Sequence, residues 1–276
     1  MLAADPIAGG LRREVRDHYL ASLYAPDARR AAVQALYAFD LEVARIPHQV
    51  SDAAMGEIRL QWWLDTLDAM AAGAAQDHPV AQALAPVLGA APLPQAALHG
   101  MVLARRDQLY ADPLPDMAAL EAHLGHTTSA LIQMVALTLA GPEAAAATET
   151  AGLAGVALGL ARLLADLPAQ RGHGFALIPE DLLRQHGLAR AALGQGNEGP
   201  VIAALAAHAE ARLSQARIAH AAVPSAARPA FLPVAVAPLW LSRIRRLGPA
   251  AFTRPPVLNP FTRQWAIWRA ARRNIF

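Results

Sequence analysis

An all-α fold is what this sequence predicts, and three observations carry the prediction. Apolar residues fill 55% of the 276 positions, and many are alanine, the best helix former. Apolar positions recur at helical spacing along most of the chain, while β-branched runs are scarce. Breaks in the pattern fall at proline and glycine, with no composition shift or low-complexity linker between them. The expectation is a single helical domain over residues 1–276.

The elements follow in order. A helix fits 11–24 and stops near Pro26. A second fits 27–46, with Val33, Leu36, Tyr37, Leu41 and Ala44 on one stripe and Pro47 ending it. Ser51 is placed to cap a third, which carries Met55, Ile58, Leu60, Trp62, Trp63 and Leu67. Of the adjacent tryptophans, one is expected in the core and the other at a cavity or partner surface. Shorter helices fit 80–89 and 95–110. A long one fits 116–140 and is broken by Gly141-Pro142, and another fits 143–167. "PEDLLRQHG" has Pro179 at its start, acids in its first turn and Gly187 past its end. Helices at 199–221, 229–247 and 261–273 finish the chain.

Composition excludes several chemistries. There is no cysteine, hence no disulfide, thiolate metal site or cysteine nucleophile. All 24 basic residues are arginine, which excludes Schiff-base lysines and a P-loop lysine. The N-terminal stretch lacks a basic segment followed by an apolar core, so a cytoplasmic location is expected. The uncharged stretches 78–104 and 127–142 are proline-rich and short respectively, and neither reads as a membrane span. Asp17, His18 and Ser129 have no nucleophile-elbow context and read as chance co-occurrence. His123 and His126, three apart, lack a third ligand nearby in sequence.

Charge is unevenly placed. The first 210 residues hold 13 arginines against 22 acids, a net of −9, whereas 211–276 hold 11 arginines and no acid. Such asymmetry points to an acidic partner or an anionic membrane surface. No nucleic-acid partner is expected. In "NPFTRQWAIWRAARRNIF" a helix sets Phe261, Trp265, Trp268 and Arg272 on one stripe, with Arg269 and Arg273 beside it. That stripe is a surface either for a membrane interface or for a protein partner, or else a seam packed into the domain.

The stretches "RRAAVQALYAFDLEVARIPHQVSDAAMGEIRLQWW" (29–63) and "GVALGLARLLADLPAQRGHGFALIP" (155–179) resemble the squalene/phytoene synthase family. The resemblance implies an isoprenoid-synthase-like helical bundle around a central cavity. In the family's enzymes, two aspartate-rich helices face each other and hold Mg²⁺ against prenyl diphosphates that are joined head to head. Along 155–179 the residues Gly155, Ala157, Leu160, Leu164, Asp166, Gly174 and Pro179 match the second motif. The usual glutamine is Gly159, the usual asparagine Arg162, the arginine before the first aspartate Ala165, and the second aspartate Gln170. Phe175 and Leu177 stand where an arginine and a tyrosine are usual. In the first motif, Tyr37-Ala38-Phe39 is followed by Ala44, Arg45 and His48 where acids should stand. Asp40 and Glu42 lie two apart, roughly 200° around a helix, and cannot share one ion.

The pattern "AF-D-L-E-V-A-R", then "V-S" and "GEIRLQWW", is similar to the family's non-enzymatic branch, which includes a mitochondrial factor for assembly of respiratory complex I. "HPVAQAL" (78–84), "LEAHLGHTTSALIQM" (120–134), "LIPEDLLRQHGL" (177–188) and "RQWAIWRAARR" (263–273) extend it. The resemblance implies a non-catalytic assembly or interaction factor, with a protein partner such as complex I subunits and a cavity open to a prenyl lipid. It implies no cofactor and no catalytic residue. The alternative is an active prenyltransferase making a C30 or C40 product with Mg²⁺ at Asp166. Other roles remain open from the residues alone. Asp166 either survives as a ligand, caps the loop amides after Pro168, or pairs with Arg162. Arg59 either holds a phosphate or bridges to Asp40, Glu42 or Glu57. The helices near 27–46 and 143–167 are expected to lie antiparallel across a mostly apolar cavity, with Asp166 and Ala44–His48 at one mouth.

Overall fold

The structure, a computed structural model, describes residues 5–110, 112–170 and 177–276. Its elements are helical, and no strand occurs among the described residues. In chain order the α-helices are α1 (Pro6–Glu14), α2 (Arg16–Ser22), α3 (Asp27–Gln49), α4 (Ala53–Ala71), α5 (Pro79–Ala90), α6 (Gln95–Leu103) and α7 (Arg106–Leu109). They continue with α8 (Met117–Leu124), α9 (Ala130–Ala140), α10 (Thr148–Ala165), α11 (Glu180–Gln185), α12 (Gly199–Ala219), α13 (Ala237–Leu247) and α14 (Pro260–Arg273). One contiguous buried cluster runs through α3, α5, α6, α9, α10, α12 and α13. A second, small cluster of Ala21, Leu232, Val236, Ile267 and Ala270 seats α14.

Several boundaries differ from the sequence expectation, each for a local reason. The helix expected over 11–24 is two helices, because Val15 leaves helical geometry (φ −127°, ψ 57°) and both halves then pack on α3. Pro47 does not end α3, which runs two residues past it. Proline's fixed φ suits a helix, and near the C-terminus its missing N–H removes only one bond. Asp52, not Ser51, caps α4: its carboxylate accepts from the Ala54 amide at 2.9 Å. The segment 95–110 divides into α6 and α7 at Ala104-Arg105. Residues Ser225–Val236 wind as 3₁₀ helix, since Pro229 and Pro233 have no N–H to give, and α13 starts only at Ala237.

The centre of the fold depends on small residues. Between α8 and α9 the chain widens into one π-helical turn, Gly125–Ser129. Thr127 Oγ1 donates to the His123 carbonyl at 2.9 Å, and Ser129 Oγ donates across to the Gly152 carbonyl of α10 at 3.0 Å. A Cβ on Gly155 would stand 2.3 Å from Ser129 Cα, so only glycine permits this approach. Met117–Ala165 is long and apolar enough by length and composition to cross a bilayer. Here its segments pack on α3 and α12 as core helices, with a turn at Gly141 (φ +59°) between α9 and α10.

Candidate functional site

Both motif helices end at one cavity of about 350 Å³. Ala44 and His48 come from the last turns of α3, and Asp166 is the residue that terminates α10. The shared mouth is as expected, but the direction is not. The last turns of α3 (Asp40, Ala44, His48) and of α10 (Gly159, Arg162, Asp166) line this cavity together, which helices packed side by side and antiparallel could not do, so that expectation fails. A neighbouring cavity of about 410 Å³ shares Ala44, His48, Arg162 and Asp166 and adds Arg45 and Trp240.

The walls are mixed rather than mostly apolar. Asp40, His48, Arg105, Gln108, His123, Thr127, Thr128, Arg162, Asp166 and Gln170 all line the first cavity, beside Gly159 and Leu177. Arg105 was not foreseen. It lies in the break between α6 and α7 and donates to Asp40 Oδ1 at 2.9 Å, with both side chains nearly buried. Burial lowers its pKa, and Asp40 opposes that shift. Nothing in the sequence pairs two residues 65 positions apart, and the helix expected over 95–110 ran unbroken through Arg105.

Asp166 carries the remaining carboxylate. Its pKa is raised by burial, with Arg162 and then His48 pulling it back. The loop amides of Ala169 and Gln170 bond to its backbone carbonyl at 2.9 and 3.2 Å, so the carbonyl rather than the carboxylate finishes the helix. Gln170 is buried, and its Nε2 donates to the Leu163 carbonyl at 3.1 Å, which commits the side chain to the end of α10. The charge of Arg162 reaches Asp166, Arg105, His18 and Tyr37. Burial lowers the pKa of His18 and of His123 and raises that of the Tyr37 phenol. Tyr37 is packed under the His18 ring with centroids 4.4 Å apart. His123 Nδ1 sits 3.3 Å from Asp107.

Other expected site residues lie elsewhere. Glu42 is not among the cavity's lining residues, as the helical spacing required, and holds Arg45 at 3.6 Å. Arg45 also pairs with Glu14 of α1. Among the described residues Arg59 reaches neither cavity nor acid: Nη1 contacts Gln49 at 3.4 Å, while Glu57 takes Arg106 at 3.0 Å. Asp17 binds Arg263, and Ser129 bonds to backbone, so no triad forms. Trp63 is core and Trp62 is exposed. Trp265, Trp268, Arg269, Arg272 and Arg273 are all exposed on α14. Gly174 and Phe175 lie outside the described residues.

The donor set does not fit Mg²⁺. That ion takes a near-octahedral shell of oxygens anchored by carboxylates. Of the five motif positions, Ala44 has no donor atom, Arg45 is a cation, His48 carries an imidazole and no carboxylate, Gln170 is committed to backbone, and only Asp166 is acidic. Asp40 is already neutralised by Arg105. Among the described residues no group of three or more His, Cys, Asp or Glu is arranged for a metal.

Comparison with known proteins agrees with this architecture. Complex I assembly factor 6 of Homo sapiens is 28% identical over 241 residues, 86% of this chain and 72% of that protein. Its Drosophila melanogaster homolog is 30% identical over 182 residues, 63% of this chain and 53% of that protein. A dehydrosqualene synthase crystal structure superposes with a TM-score of 0.81 at 16% identity, over 97% of this chain and 94% of that one. Squalene synthase HpnC from Alicyclobacillus acidocaldarius gives a TM-score of 0.70 at 21% identity, over 88% and 94%. The squalene/phytoene synthase profile matches residues 11–263, and the chain belongs to that family.

Proposed function

We propose that this chain is a non-catalytic member of the family that works as an assembly or interaction factor for a respiratory NADH dehydrogenase of the complex I type. The observation that carries the reading is the state of the motif carboxylates. Asp40 is bound to Arg105, Asp166 stands without an acidic partner at position 44, 45, 48 or 170, and Arg162 is placed beside it. A cation is held in this cavity by the protein itself, so a second cation is repelled where the enzymes would recruit one. The names of the curated relatives support the assembly role.

The cavity retains a use in this reading. Arg105 Nε is buried without a hydrogen-bond partner among the described residues, and Arg162 lines the same space. These groups suit an anionic head group better than a bare prenyl chain.

The test is genetic and biochemical. Membranes from the native host lacking this chain should lose NADH:quinone oxidoreductase activity. Both the wild-type chain and Asp166→Asn should restore it. Normal activity in the deletion strain would remove the assembly role, and failure of Asp166→Asn alone to restore it would restore a catalytic reading.

A further inference from the structure

The outer face of α14 has no use in the core or in the cavity. Phe261 is 81% exposed, Trp265 59% and Trp268 39%. Helical spacing places them with Arg272 in one row, on the side away from Ile267 and Ala270, which seat the helix. The two indoles stack with centroids 4.6 Å apart, and the Arg272 guanidinium lies 5.6 Å from the Trp268 ring. Val257, just before the helix, is 73% exposed. Three large aromatic side chains in one exposed row, with Val257 exposed beside the helix start, exceed the scattered exposure of an ordinary surface.

The charge around this row has one sign. Three of the C-terminal arginines are taken by acids from earlier in the chain: Arg212 by Glu121, Arg245 by Glu210 and Arg263 by Asp17. Arg263 lies on the seated side of α14, not on the aromatic row. Arg243, Arg246, Arg254, Arg269, Arg272 and Arg273 form no ion pair among the described residues. Arg243, Arg246, Val257 and Thr262 line one shallow depression beside α14. Thr262 shares its helix side with Arg269 and Arg273, so the arginines of α13 and α14 form a continuous basic rim along the aromatic row.

We propose that this face docks the chain on an anionic lipid surface, with the α14 axis lying in the plane of the interface and no segment crossing it. The indole rings and Phe261 enter the headgroup layer, and the unpaired guanidiniums meet lipid phosphates. Charge complementarity selects lipid: no acid occurs in residues 211–276, so the rim has no partner within its own third of the chain. The proposal does not depend on the cavity being inactive, because none of these residues lines the cavity of Asp166.

Vesicle co-sedimentation of the full chain tests it. Vesicles of phosphatidylcholine with about 30% phosphatidylglycerol should carry the chain down at low salt, and pure phosphatidylcholine or about 0.5 M salt should release it. Combined Arg269→Gln, Arg272→Gln and Arg273→Gln should weaken partitioning on the order of a hundredfold. Trp265→Ser with Trp268→Ser should weaken it independently, with the circular dichroism of both variants unchanged because the sites are exposed. Wild-type chain that stays in the supernatant with anionic vesicles at low salt overturns the proposal and leaves the face to a protein partner. Variants that sediment like wild type overturn it as well.

Discussion

Arg105 holds Asp40 at 2.9 Å across the cavity, joining the break between α6 and α7 to the middle of α3. The contact fills with a protein cation the region where an acidic helix would otherwise face open space. It also makes each partner dependent on the other, since both side chains are about nine-tenths buried.

Removing one partner should therefore cost more than removing both. Arg105→Leu leaves a buried carboxylate unpaired and should destabilise by about 3 kcal/mol, whereas Arg105→Leu with Asp40→Leu should return to within about 1 kcal/mol of wild type. Urea unfolding of the wild type, both single variants and the double variant measures this coupling. Additive single effects would show that the pair is incidental.

Gly155 and Gly152, one turn apart on α10, should respond in opposite directions. Gly155→Ala puts a Cβ 2.3 Å from the Ser129 backbone and should cost about 1–3 kcal/mol or more, because backbone cannot swing aside. A Cβ on Gly152 meets nothing within 4 Å, so Gly152→Ala should stabilise by roughly 0.5–1 kcal/mol through helix propensity. Thermal melts decide it, and equal behaviour of the two variants would mean α10 does not approach the π turn this closely.

Acid should weaken the fold through buried histidines. His18 and His123 are held neutral, chiefly by burial, with pKa values below the ordinary 6.5. The unfolded chain takes up protons near 6.5 while the folded chain does not. Their contribution is complete above that pH and is lost as pH falls toward the folded values, at up to about 1.4 kcal/mol per pH unit per histidine. His18→Phe keeps a ring against Tyr37 and should flatten the decline of stability between pH 6.5 and 5.5. An unchanged slope would show that His18 is protonated in the folded state.

Asp166 should behave oppositely. Burial raises its pKa, so the ionised form is disfavoured by folding once pH exceeds the ordinary carboxylate value. Asp166→Asn should then stabilise at pH 7 by on the order of 1 kcal/mol, a gain that shrinks as pH falls toward 4. Denaturant midpoints at the two pH values test this. Destabilisation at pH 7 would mean that the carboxylate has a stabilising partner, as a metal ligand would.

What the sequence revealed and what it concealed divide by range. Local signals carried the helices and the break at Gly141-Pro142. The spacing that kept Glu42 away from Asp40 also held. Hidden were events set by tertiary partners. Arg105 finds Asp40 from 65 residues away, and Arg45 leaves its motif position for Glu14 on α1. Val15 breaks a periodic stretch so that both halves reach α3. The cavity's polarity was hidden for the same reason: its polar wall residues come from α3, α7 and the break before it, α8, the π turn and the end of α10, and only the fold gathers them.

The most direct test of the central claim is incubation of the pure chain with farnesyl or geranylgeranyl diphosphate and Mg²⁺, followed by lipid extraction. The account predicts no C30 or C40 condensation product above a protein-free control, because Ala44, Arg45, His48 and Gln170 supply no carboxylate beside Asp166 and Asp40 is bound to Arg105. A condensation product that requires Mg²⁺ and disappears with Asp166→Asn would contradict it.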